Sequence, residues 1–523
     1  MEAATVKGHC APGFEGVRRA FERNFREHRE IGAAVAVTWD GEPVVDLWGG
    51  HADAAGSRTW ERDTLVNVYS TSKGMTALCA HLLADRGELD LDAPVSRYWP
   101  EFARAGKEAI PVRWLLCHRA GLLAPREPLA EGRAYDWEYV CDALAHTPPW
   151  WEPGTAQGYH ATTFGYLVGE VVRRITGQSL GAFLRSEITG PLGADLFIGT
   201  PAEEHPRCAD MVGQLGDALL AERFPGAPLP PVRGIEEHPL APVTLALRYV
   251  PIGDVNSAAY RSAEIPAGNA HASARGLAAV YAALAGGRLV GPATLEALRS
   301  SQSRPDEPDL TLGALVPEGT ATAFRWGLGY MLNDRGQAGP NPRAFGHGGA
   351  GGSYAFADPE NGLAYAYTMN RFGAAPAARI RGAGRWWRRC TRRWRRSAAG
   401  PEGRSGAAAD APERRNNGRC GRIRPAPPRV RRPRREGVVT MERDTETVHE
   451  AYSFVCLHCG HGWEEEYEIR HTTDLAGHRR ADYFAHGRRV PSPLTRADCP
   501  DCNRGPIRIL RPGRVNAARS FLP

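Results

Sequence analysis

The chain has 523 residues, 42% of them hydrophobic and 8% aromatic, with a formal net charge of +6. It is too long for one ordinary domain, and its composition is that of a folded protein, which excludes a wholly disordered chain. The basic balance does not mark a nucleic-acid binder throughout. About twenty arginines and few acids lie between Arg379 and Arg435, so the rest of the chain is acidic overall.

The opening stretch MEAATVKGHCAPGFEG has no apolar leader, and no later run approaches about 18 apolar residues. No membrane span and a cytoplasmic location are therefore expected. AAVAVTWDGEPVVDLWGG reads as two strands joined by Asp40-Gly41, a strong hairpin signal. After Ser70, the residues Met75, Leu78, Cys79, Leu82 and Leu83 recur at helical spacing and stop at Gly87. Phe164, Leu167, Val168, Val171, Val172 and Ile175 repeat the pattern up to Gly177, and Leu277, Val280, Tyr281 and Leu284 up to Gly286. GGSYAFADPENGLAYAYTMN alternates aromatic and small residues about a DPENG turn, which predicts a hairpin with one aromatic face. Strands at both ends with helices between them predict an α+β fold whose sheet joins the N- and C-terminal portions of residues 1–373. Cys10, Cys79, Cys117, Cys141 and Cys208 are scattered through this region and read as reduced core residues.

Lys73 is one of three lysines in the chain, with Lys7 and Lys107; every other strong base is arginine. It lies three residues after Ser70 in NVYSTSKGMTALCAHLLADRG, so on a helix the two side chains share a face one turn apart. A serine hydroxyl becomes a useful nucleophile when a neighbouring base takes its proton. Lysine serves as that base only when neutral, which burial and a helix N-terminus both promote. Arginine stays charged and cannot substitute. A solvated lysine at a helix start is the plain alternative, and by themselves Tyr159 and His347 read equally well as a loop aromatic and a structural histidine.

The motifs together resemble the penicillin-recognising serine hydrolases: β-lactamases, D-alanyl peptidases and related esterases. Ser70 and Lys73 stand where that family has S-x-x-K. GYHATTFGYLVGEVV is similar to the tyrosine motif of the class C branch, with Tyr159 before a helix. FGHGGAGGSYAFADPE is similar to the third motif, with His347, Gly348 and Gly349 where β-lactamases carry Lys-Thr-Gly. VRWLLCHRAGL and IPAGNAHASARGLAAVYAAL resemble further stretches of the family, so the likeness runs from about residue 15 to 372 in motif order.

The resemblance implies a β-lactamase/transpeptidase-like fold and two-step acyl transfer through Ser70, with Lys73 and Tyr159 moving the proton. It implies an oxyanion hole from the N–H groups of Ser70 and Ala350, beside the glycines. Tyr159 would need a depressed pKa to act as base, which a Lys73 ammonium could supply; which of the two is the base stays open. Two departures point toward the family VIII carboxylesterase branch. Ala161 replaces the asparagine of Tyr-x-Asn, and His347 replaces the lysine whose charge clamps a β-lactam carboxylate. Hydrolysis of small carboxylic esters without a cofactor is expected, with β-lactamase or D-alanyl peptidase activity as the alternative.

Residues 374–440 are rich in Arg, Pro, Gly and Ala, with little apolar periodicity. They fit a disordered linker, a nucleic-acid-binding tail or out-of-frame sequence joining two reading frames. The last is favoured, because Met441 opens a well-composed module and no closing amphipathic helix follows Asn370. If the segment does dock on the sheet, Trp386, Trp387 and Trp394 are its expected buried contacts. In residues 441–523, Cys456, Cys459, Cys499 and Cys502 form two C-x-x-C pairs, which predict a zinc-ribbon-like module. The spacing between the pairs exceeds the usual ribbon, leaving room for a hairpin and a loop. His458 and His461 are alternative ligands, and a redox pair is the alternative chemistry. A decayed hydrolase carrying a zinc/nucleic-acid tail is the non-enzymatic reading.

Overall fold

Asp40 and Gly41 both take positive φ in the computed structural model, 49° and 85°, the two-residue turn whose twist suits a hairpin. The structure describes residues 5–213, 241–304, 307–313, 324–334, 336–372, 445–456, 459, 461–473, 479–490, 499–502 and 507–510. Residues 374–440, with Trp386, Trp387 and Trp394, lie outside them. Contacts divide the chain into two compact units, Met1–Ala408 and Ala409–Pro523, each described by itself.

The first unit opens with β1 (Val6–Cys10), β2 (Gly32–Trp39) and β3 (Glu42–Gly50). Short strands β4 (Val66–Asn67), β5 (Leu196–Phe197) and β6 (His271–Ala272) form a separate sheet in the order β4-β6-β5. Then follow β7 (Met331–Leu332), β8 (Phe345–Gly348), β9 (Tyr354–Asp358) and β10 (Leu363–Met369). The main sheet runs β1-β3-β2-β10-β9-β8-β7, all antiparallel. The N-terminal hairpin and the C-terminal strands thus meet at β2 and β10, as the α+β reading expects.

Both central strands are buried on both faces. Val35 and Val37 pair with Tyr367 and Tyr365, while Ala36 pairs with Ala366. The large side chains meet helix Glu15–Glu27, where Phe21 packs edge-on against Tyr367. The alanine side lets helix Ala274–Ala285 approach β2, β9 and β10 closely. The hairpin is therefore aromatic on one face, as its alternation predicts, but neither face is wet.

Helix Ser72–Asp85 is the centre of the unit. It packs on helix Thr163–Thr176 and is buried from Ser72 through Leu83. Its polar positions gave it an amphipathic look in the sequence, yet they face protein: Thr76 Oγ1 donates to Pro266 O, and His81 contacts Leu328 O at 2.8 Å. Burial lowers the His81 pKa to about 4. Cys79, Cys117, Cys141 and Cys208 are buried thiols, whereas Cys10 is half-buried on the edge strand. Of the other two lysines, Lys7 pairs with Glu61 at 3.5 Å on the surface. Lys107 is fully buried, its ammonium donating to the carbonyls of Arg104, Ala145 and Thr147.

The second unit is a five-stranded antiparallel sheet: β11 (Thr445–Cys456), β12 (Gly462–Thr473), β13 (Arg479–Ala485), β14 (Arg488–Val490) and β15 (Ile507–Leu510), ordered β14-β13-β12-β11-β15. His486 and Gly487, both at positive φ, close another two-residue hairpin. The long gap between the cysteine pairs thus holds three strands. Phe454, Tyr467, Ile469 and Ala485 are buried together, while Glu464 and Glu466 are exposed. Among the described residues, no helix of the chain is long and apolar enough to cross a membrane.

Candidate active site

Ser70 sits in a single 3₁₀ turn, Tyr69–Thr71, immediately before helix Ser72–Asp85 rather than on the helix itself. Tyr69 has φ 45°, a conformation that costs a bulky residue about 1–3 kcal/mol and persists only where surroundings dictate it. They do. The Tyr69 N–H donates to Asn67 Oδ1 at 3.0 Å, and Ser72 Oγ donates to the Tyr69 carbonyl. Ser70 itself is half-exposed at the end of this held turn.

Lys73 is fully buried, and that desolvation pushes its pKa well below the ordinary lysine value. Its Nζ lies 2.7 Å from Ala161 O, 2.9 Å from Ala267 O and 3.3 Å from Ser70 Oγ. A neutral amine has two hydrogens and one lone pair. Two carbonyls can only accept, so they take both hydrogens and leave the lone pair facing the serine hydroxyl. No carboxylate pairs with the amine in the described hydrogen bonds, so nothing offsets the burial.

Tyr159 lies with its ring 4.7 Å from Lys73 Nζ, its hydroxyl toward Ser70. Trp326 stacks on it at 5.4 Å and 16°, and the Tyr159 backbone N–H donates to the buried Asp309 at 3.1 Å. Burial raises the Tyr159 pKa. The depressed value that a tyrosine base would need is therefore not found, and a neutral Lys73 provides no charge to stabilise a phenolate.

His347 on β8 is also buried and neutral, its pKa lowered to about 3 chiefly by desolvation. Its Nδ1 is 2.7 Å from Gly348 O. A carbonyl accepts, so Nδ1 carries the proton and Nε2 keeps a lone pair. The histidine offers no positive charge to a carboxylate.

β8 and the residues after it face the Tyr69–Thr71 turn through a narrow seam. Thr71 Oγ1 meets Ser353 Oγ at 3.2 Å, and Ser353 Oγ donates to Val68 O at 2.7 Å. A Cβ on Gly349 would lie 2.2 Å from both Ser353 Oγ and Val68 O, so only glycine permits the approach. The Gly349 N–H is taken by Ser353 O at 2.8 Å, so it is not open to a ligand. Gly348, Gly349 and Ala350 are half-exposed like Ser70, so a carbonyl can reach the gap. Gly349→Ala is expected to lower ester kcat/KM about 10- to 100-fold, an overpacking cost of ~1–3 kcal/mol at the seam; steady-state kinetics check this.

Sequence reasoning missed Asn67, Thr71, Asp309, Trp326 and Ser353. Thr71 and Ser353 adjoin recognised motifs, but Asp309 and Trp326 come from loops with no local signal.

A family model described as Beta-lactamase matches residues 17–385. This chain belongs to the beta-lactamase family. It is 36% identical over 384 residues to an esterase/beta-lactamase, LipL, of Mycobacterium tuberculosis, covering 70% of this chain and 83% of that protein. Its structure is similar to a family VIII carboxylesterase, 39% identical, with TM-score 0.63 over 73% of this chain and all of that one. It is also similar to a penicillin-binding protein homologue from Caulobacter crescentus, 36% identical, with TM-score 0.61 and the same coverage. Within the beta-lactamase family frame, Ala161 and His347 remain its departures. The Ala161 side chain contributes no amide, while its carbonyl holds Lys73.

Outside the beta-lactamase unit, Cys456, Cys459, Cys499 and Cys502 converge. Their four Sγ atoms lie within 4.8 Å of one another, with Cys456–Cys502 at 3.7 Å and Cys459–Cys499 at 3.8 Å. A tetrahedron with Zn–S bonds of about 2.3 Å has edges of about 3.8 Å, so the donor set fits zinc. Asp501 N–H donates to Cys499 Sγ at 3.4 Å, the kind of amide support a thiolate needs. His461 turns its ring onto Trp463 and lends only its carbonyl, to Cys456 N–H. It is not in the cluster, and His458 lies outside the described residues.

Proposed function

We propose that the chain hydrolyses small carboxylic esters through an acyl-enzyme on Ser70. The observation that carries this is the buried amine of Lys73, whose two hydrogens are committed to Ala161 O and Ala267 O while its lone pair faces Ser70 Oγ. Ser70 Oγ bonds to the ester carbonyl carbon as its proton passes to Lys73 Nζ. The N–H groups of Ser70 and Ala350 hold the oxyanion. The C–O bond to the alcohol then breaks, and the departing oxygen takes the proton from Lys73 through the Tyr159 hydroxyl. Water attacks the acyl carbon and gives its proton to Lys73. The acyl–Oγ bond breaks, Oγ regains the proton, and a carboxylic acid leaves.

The neutral His347 and the missing Tyr-x-Asn amide support esters over β-lactams or D-alanyl peptides, whose carboxylate needs a cation. Four buried thiols left unpaired support a cytoplasmic setting. Zinc held by Cys456, Cys459, Cys499 and Cys502 would tie together the second unit, and the proposed organisation is hydrolase 1–373, join 374–440 and zinc module 441–523. The exposed Glu464 and Glu466 do not favour nucleic acid on that face of the module.

The test is hydrolysis of a short-chain p-nitrophenyl ester together with fluorophosphonate labelling. One adduct at Ser70 is expected, with nitrocefin turned over far more slowly than the ester. Labelling at another residue refutes the assignment, and comparable nitrocefin kcat/KM reverses the substrate ranking.

A further inference from the structure

The loop 265–270 commits its peptide groups to the first turn of helix Ser72–Asp85. Pro266 O accepts from Thr76 Oγ1 at 2.8 Å and Ala267 O from Lys73 Nζ at 2.9 Å. Ala270 N–H donates to Ser72 Oγ at 3.0 Å, while Ala270 O accepts from Val68 N–H at 2.9 Å. Between them, Gly268 O accepts from the Tyr260 hydroxyl at 3.0 Å. That hydroxyl in turn accepts from Asn67 Nδ2 at 2.9 Å, and Asn67 Oδ1 accepts from the Tyr69 N–H at 3.0 Å. One chain of hydrogen bonds therefore runs from the strained residue beside the nucleophile to the peptide next to the carbonyl that aims Lys73.

We infer that Asn67 and Tyr260 are positioning residues that set the serine and its lysine base in one fixed relation. Both are 1% exposed, so no bulk water replaces the bonds they make. Gly268 has no atom within 4 Å of where a Cβ would stand, so hydrogen bonds rather than packing hold its peptides: the N–H groups of Gly268 and Asn269 donate to Ile265 O at 2.8 and 3.0 Å, and the Tyr260 hydroxyl holds the Gly268 carbonyl. If the Tyr260 bond goes, the turn is left to the two bonds at Ile265 O, and the Ala267 carbonyl next to it is held less firmly against Lys73 Nζ. At the other end, Tyr69 loses the acceptor that helps hold its positive φ. Asn269 shapes the loop separately, binding Ile265 N–H, Tyr260 O and Ala263 O through its side chain.

The inference rests on Lys73 being the base for acylation of Ser70, and the test keeps the two apart. Tyr260→Phe removes one oxygen at an unchanged ring. It is expected to lower kcat for the p-nitrophenyl ester about 10- to 100-fold with KM within about threefold, since misplacement of a catalytic group by about 1 Å costs that much. Loosening also admits water toward Lys73, so the acid limb of kcat/KM moves to higher pH. Tyr281→Phe is the matched control: the Tyr281 hydroxyl is buried without a hydrogen-bond partner, and its loss should change kcat less than twofold. Asn67→Ala breaks the other end, and the double variant should lose no more than the worse single one, because the two act as a unit. Rates are taken per fluorophosphonate-labelled Ser70, so misfolded protein does not count, and Asn67→Ala alone decides if Tyr260→Phe does not fold. Wild-type kcat and an unshifted limb in Tyr260→Phe overturn the inference, as do additive losses or an equal loss in Tyr281→Phe. Ester hydrolysis that survives Ser70→Ala refutes instead the reading beneath it.

Discussion

Lys73→Met is expected to lower kcat for ester hydrolysis about 10³-fold while the protein folds as stably as before. General-base catalysis contributes about 10²- to 10⁴-fold, and methionine fills the site without an amine. Lys73→Arg is expected to lose activity equally and to unfold more easily. It places a permanent cation where burial already depresses the lysine pKa, at a cost of about 3 kcal/mol for an unpaired buried charge. The wild-type pH profile follows from the same group. Its neutral form is the active one, so the rate rises with pH through the Lys73 pKa, which lies well below 10.5. Activity at neutral pH is the expected outcome. A limb near the ordinary lysine value, seen in kcat/KM against pH, would place the base elsewhere.

Removing metal from the second unit is the other large effect. A structural zinc held by four cysteines contributes about 10–16 kcal/mol of apparent folding free energy, more than an unassisted sheet of this size can offer. The buried group Phe454, Tyr467, Ile469 and Ala485 is small. A strong chelator, or Cys456→Ser, is therefore expected to unfold this sheet, read as lost amide protection in β11 and β12. The ester kinetics of the first unit should stay within twofold, because none of its site groups comes from the module. Purified protein should carry about one zinc per chain by elemental analysis. Protection unchanged after chelation would remove zinc from the account.

The sequence displays those parts of the site that depend on residue identity at short range. Ser70 and Lys73 stand three apart, and the Asp40-Gly41 turn and the DPENG hairpin follow local rules. The four cysteines are legible for the same reason, since C-x-x-C is a local turn. What stays hidden is assembled across distance. Asp309 meets Tyr159 N–H from 150 positions away, and Ala267 O reaches Lys73 across 194. A backbone carbonyl leaves no trace in residue type at all. The choice between Lys73 and Tyr159 as base stayed open in the sequence for a related reason. Burial acts on Lys73 and Tyr159 together, and a sequence does not state how much water remains between them.

The lysines leave a practical legacy. Arginine has replaced lysine almost everywhere, and two of the three survivors are sealed inside the protein, one behind Ser70 and one beneath the carbonyls at residues 104, 145 and 147. Lys7, on the edge strand β1, is the exposed exception. To an amine-directed reagent this large, basic protein is nearly blank. Coupling of side-chain amines through activated esters would attach it to a bead, dye or surface by Lys7 on β1, away from the two buried lysines.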